Sequence, residues 1–167
     1  MQLMKSKIGA VAKRTATAAL ITAPMLMGAS QVAGAGEVNT GYFGNTAIMG
    51  YDPVAYFTMK EAVKGSSKHS HKWLGVTWLF ASDEHRKAFS AKPVKYAPQY
   101  GGLCTVGVAY GEVTREIDPE AWSVINGKLY LNYAKSVTED FEKDSEALIA
   151  KADANWPDVR GRLAEQN

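Results

Sequence analysis

Four residues of this chain have side chains that could share a metal ion or a proton. They are His69, His71, His85 and Cys104. Imidazole and thiolate together suit copper or zinc. His69 and His71 stand two apart in a run rich in β-formers, so both rings can face one side of a strand. Cys104 is the single cysteine and sits in a small-residue stretch after Gly101-Gly102. Met49 or Met59 could add a soft thioether. The competing expectation is equally concrete: histidines are common on surfaces and at helix starts, and a lone cysteine is often a small buried hydrophobe. A thiol enzyme would need Cys104 as nucleophile and His85 or His71 as base, and the sequence shows no third residue to orient that base. A glycine-rich phosphate loop, a His-Glu-x-x-His helix, a Cys-x-x-Cys pair and a Gly-x-Ser-x-Gly elbow are all absent. The expectation is therefore a binding module rather than a catalyst.

A second set of residues is aromatic. Tyr51, Tyr56, Trp78 and Tyr100, with Asp52, could line a pocket for a planar or apolar ligand, or could simply be core. Asp52 precedes Pro53 and is expected to cap its own turn.

The elements that must carry these residues can be read locally. Lys68 to Ala81 predicts a hairpin turned at Gly75, with His69, His71 and Trp73 on one face and Val76, Trp78 and Phe80 alternating on the return. Ser82 predicts an N-cap, with Asp83 and Glu84 in the first turn and His85 at the third helical position. That helix should stop before Pro93. Pro93 to Ala109 reads as coil. Ala121 to Tyr133 predicts a second hairpin, because Asn126-Gly127 suits a type I′ turn. A last helix is expected from about Ser136 to Ala154, closed by Trp156-Pro157 and followed by a polar tail. The sum is an α+β fold: one small domain with two β-hairpins, a short helix after the first and a C-terminal helix.

Residues 1–35 read as a secretory signal peptide rather than as fold. Lys5, Lys7, Lys13 and Arg14 precede an apolar run from Ala16 to Met27, and small residues follow up to Ala35. That apolar run is shorter than the roughly 20 residues a membrane span needs. The mature domain is then 36–167, and the expected location is exported, most simply periplasmic. The chain is formally +2. The leader holds four positive charges and no acid, which leaves the remainder at −2. With no concentrated basic run, nucleic acid is not an expected partner. A lone cysteine makes no intrachain bridge, so the fold does not depend on a disulfide.

Several stretches together resemble the YHS domain, and in particular its exported bacterial branch. They are Gly50-Tyr51-Asp52-Pro53-Val54-Ala55-Tyr56-Phe57, Trp78-Leu79-Phe80-Ala81-Ser82 with His85, Phe89 and Pro93, Tyr96-Ala97-Pro98-Gln99-Tyr100-Gly101-Gly102, Asp118-Pro119-Glu120-Ala121-Trp122, and Ala152-Asp153-Ala154-Asn155-Trp156-Pro157. The similar region covers about residues 47–157. The resemblance implies a small treble-clef-like core and a role in binding a transition metal. The chain departs from the metal-binding pattern, however. Ala55 and Ala81 stand where cysteines are expected, and the third position falls at or beside His85. Two expectations follow. One is an exported module binding copper, zinc, iron or a metal-bearing cofactor through Cys104, His85, His71 and His69. The other is a metal-free structural or protein-interaction domain that has lost the cysteine site.

Overall fold

The computed structural model describes residues 37–41 and 44–166. The signal-peptide reading of 1–35 therefore lies outside the described residues.

Two antiparallel hairpins form the β component. Strand β1 (Ser66–Trp73) pairs with β2 (Val76–Phe80), and β3 (Asp118–Ile125) pairs with β4 (Lys128–Asn132). Both turns are two residues long with positive φ at each position: Leu74 at 53° and Gly75 at 79°, Asn126 at 51° and Gly127 at 73°. That backbone matches the right-handed twist of the strands it joins. β1 and β3 each carry a bulge, between Ser66 and Ser70 and between Asp118 and Trp122. The second bulge accommodates Pro119, which has no N–H to give to a ladder.

Six helices surround the hairpins. They are α1 (Ala55–Thr58), α2 (Asp83–Ala91), α3 (Pro93–Tyr96), α4 (Thr105–Ala109), α5 (Lys135–Lys143) and α6 (Ser145–Glu165). Short 3-10 turns occupy Ala47–Gly50 and Gln99–Gly102. The expected cap on α2 is present: Ser82 Oγ accepts from the His85 amide at 3.1 Å, satisfying one of the helix's orphan donors.

Two local expectations are corrected. The segment 93–109 is not coil, because Tyr100, Leu103 and Val108 are buried and hold its short helices against β4. The C-terminal helix is two helices, and Pro157 lies inside the second. Pro157 removes one backbone donor from α6, but Trp156, Val159 and Leu163 are buried on both sides of it, so packing carries the helix through. The start of the described chain is tied to the Gln99–Gly102 turn. Asn39 is buried, its amide N–H bonds Gly101 O at 2.8 Å, and its side chain donates to Gly102 O and Arg115 O.

The first hairpin and α2 meet through rings. Phe89 lies 4.9 Å from Trp78, 5.2 Å from Phe80, 5.7 Å from Trp73 and 6.3 Å from His71, centroid to centroid. Gly65 allows the chain to cross β2 closely: a Cβ there would sit 2.5 Å from the Leu79 carbonyl carbon. The second half centres on Tyr100, Tyr130, Phe141 and Trp156, whose rings contact one another in sequence around the core.

Candidate functional site

The structure separates the four candidate metal ligands. His69 and His71 lie half-buried on the same face of β1, and the His71 ring stands edge-on to Phe89. His85 is on α2, with only 15% of its side chain exposed. Cys104 is fully buried at the N-terminal boundary of α4. Among the described residues, no group of three or more His, Cys, Asp and Glu side chains could hold a metal ion. The reading of Cys104, His85, His71 and His69 as a metal site is therefore corrected. Met49 and Met59, the candidate thioethers, are 58% and 48% exposed.

His85 has a specific partner that the sequence did not reveal. Its Nδ1 lies 2.6 Å from Asp52 Oδ2. Asp52 has no exposed surface, and its acceptors are met from three directions. Val54 N–H donates to Oδ1 at 2.8 Å, Ala81 N–H donates to Oδ2 at 2.9 Å, and the imidazole donates from Nδ1. A buried carboxylate is stable only when its lone pairs are met in this way. The bond to Val54 is the turn cap expected of Asp52. The other two bonds join the start of α1 to the end of β2 and to α2, across about thirty residues of sequence.

The other imidazole nitrogen, Nε2, lies 3.2 Å from Thr58 Oγ1 on α1. Carboxylate, imidazole and hydroxyl thus stand in the order used by nucleophilic triads. Further hydrogen bonds tie the set into α1. The Thr58 hydroxyl also bonds back to Val54 O at 3.1 Å. The amides that follow it, Met59 and Lys60, both donate to Ala55 O.

Cys104 likewise satisfies itself within the fold. Its Sγ lies 3.7 Å from Asn132 Oδ1, and its backbone amide donates to Thr114 O at 3.0 Å. Burial pushes its thiol pKa up, against partial lowering by the backbone amides of Gly107, Tyr133 and Val106. Burial thus disfavours the thiolate, the form in which cysteine binds metals and acts as a nucleophile.

The aromatic candidates are core. Tyr56 is fully buried and donates its hydroxyl to Pro119 O at 2.9 Å. Trp78 Nε1–H donates to Trp73 O at 3.2 Å. Tyr100 adopts φ of 54° and donates its hydroxyl to Asp153 Oδ1 at 2.8 Å. Tyr51 is half-buried beneath Lys64 Nζ, which stands 4.4 Å from its ring centre.

Three cavities lie elsewhere on the surface. One of about 510 Å³ is bounded by Val38, Thr40, Asn45, Val76, Arg115 and Gln166. A smaller one of about 240 Å³ lies between Ile48, Met49 and Ile117. A third of about 350 Å³ opens between α4, α5 and α6. None of the three is lined by His69, His71, His85 or Cys104. Among the described residues no helix is long and apolar enough to cross a membrane. Comparison with protein families, with curated proteins and with solved structures finds no match for the chain.

Proposed function

We propose that this chain is a metal-free interaction domain, exported by its basic, apolar leader and built on a YHS-like plan whose ligand positions have become structural. One observation carries the reading. His85, the ligand-type residue at a YHS motif position, spends its ring on the buried Asp52 carboxylate and on Thr58. The motif stretches from Gly50 to Pro157 support the family placement, and residues 1–35 support export. No catalytic role is part of the reading.

Elemental analysis tests it, on protein purified without chelator from an export-competent bacterial host. The expected result is copper, zinc and iron each far below one equivalent, unchanged in His85→Ala and Cys104→Ala. One equivalent of a single metal in the parent, lost in either variant while the circular dichroism spectrum is kept, would sink the reading.

A further inference from the structure

The cleft between α4, α5 and α6 has the composition of a recognition site. Its apolar lining comes from the half-buried Val106 and Val137, with Phe141 and Leu148 buried behind them. Tyr110 and Tyr133 line it as well, 67% and 54% exposed, two of the five large exposed hydrophobics among the described residues. Neither ring nor hydroxyl of either tyrosine makes a hydrogen bond or ring contact with another described residue. Grouped exposed apolar residues rimmed by polar ones mark interaction sites. Asp140 and Asp144 also line the cleft. Asp140 pairs with Lys143 at 2.8 Å, both side chains being largely exposed, so that pair is readily exchanged. The Asp144 carboxylate has no side-chain partner among the described residues. The surrounding segment 139–146 holds five acidic residues and one lysine.

We propose that this cleft docks an arginine side chain of a partner polypeptide. Tyrosine faces attract a guanidinium through their π electrons and let its plane stack. A carboxylate accepts the guanidinium fork with two parallel bonds. The half-exposed Val106 and Val137 suit the methylene stem. Lysine fits less well, because its strongly hydrated ammonium neither stacks nor forks. Lys151 stands on the same lining, two turns and about 10 Å along α6 from Asp144. Its single positive charge is set against the two carboxylates of Asp140 and Asp144 on that lining. The proposal rests on the interaction-domain reading and names the chemistry of its partner.

The test is an NMR titration of the full chain with acetyl-Ala-Arg-Ala-Arg-Ala-amide, and with the peptide in which both arginines are lysines. The arginine peptide should saturably shift the ring signals of Tyr110 and Tyr133, and bind about ten-fold tighter than the lysine peptide. The double variant Tyr110→Ala with Tyr133→Ala should weaken binding about ten-fold, and Asp144→Asn several-fold. These side chains are exposed, so the variants should keep the parent's melting temperature within a few degrees. Absence of saturable shifts overturns the proposal, as does equal binding of both peptides or indifference to the tyrosine variant. Peptide-free shifts of the same signals that grow with protein concentration would assign the cleft to a second copy and overturn it too. The two readings fail separately. A metal-free chain that ignores the peptide loses only the cleft, whereas an equivalent of bound metal removes the interaction-domain reading whatever the peptide does.

Discussion

A carboxylate with no solvent exposure must find its hydrogen-bond donors inside the protein, and Asp52 finds three. Asp52→Ala should destabilise the chain by about 3 kcal/mol, because two backbone N–H groups and an imidazole lose their acceptor at once. Urea denaturation measures it, and a loss below about 0.5 kcal/mol would show that the brace carries little stability. His85→Ala should cost less, since the two backbone bonds to Asp52 remain. One bond of this site was legible in the sequence. An aspartate before Pro53-Val54 announces an Asx cap, and that is one of its three bonds. The other two reach Ala81 and His85, 29 and 33 residues away, and no local rule encodes a contact at that separation. The same distance hid the role of His85. At the third position of α2 its amide gives the cap bond expected there, while its ring turns back across the fold to Asp52.

Hairpins and caps were readable because each is specified by two or three adjacent residues. Asn126-Gly127 supplies two positive φ angles, and Ser82 supplies an acceptor just where α2 begins. Helices α3 and α4 were not readable, since four or five residues show no helical period and are too short to form alone. α4 exists because Leu103 and Val108 are drawn into the core beside β4, whereas α3 starts at Pro93 and sets the Tyr96 ring edge-on to Phe57. Pro157 misled for the converse reason: a local breaker is overridden by the apolar stripe of α6. α2 is the element most dependent on a single side chain. Phe89 is its only buried residue and contacts four rings of the first hairpin. Phe89→Ala should therefore cost about 3–5 kcal/mol. In hydrogen exchange, the amides of α2 and β2 should lose protection together; loss confined to α2 would mean that the hairpin stands without it.

At the scale of the molecule, the aromatic core sets the alkaline limit of stability. Burial raises the hydroxyl pKa of Tyr130 to about 12, and pushes those of Tyr56 and Tyr100 higher still, the last helped by the bond to Asp153. In the unfolded chain these groups ionise near 10. Below that pH both states keep the proton and stability is at its full value. Above it only the unfolded chain gives protons up, so stability falls as pH rises from about 10 toward 12. Tyrosinate absorbance followed against pH should show a late cooperative step that coincides with loss of ellipticity. Independent titration of all eight tyrosines with the fold intact would contradict it. The α+β class and both hairpins were legible from local patterning. The grouping of Tyr100, Tyr130, Phe141 and Trp156 into one core was not, because it depends on how distant elements pack. The pairing of Glu37 with Arg160 at 3.5 Å, and the wall that Val38 and Gln166 share in one cavity, bring the two ends of the described chain side by side. Topologically the fold is nearly a closed ring with one gap. A short linker could seal that gap, and the ring could be reopened at the exposed Asn126-Gly127 turn without parting any buried contact. Cargo attached ahead of Glu37 would likewise leave the molecule beside α6, on the same side as anything attached after it.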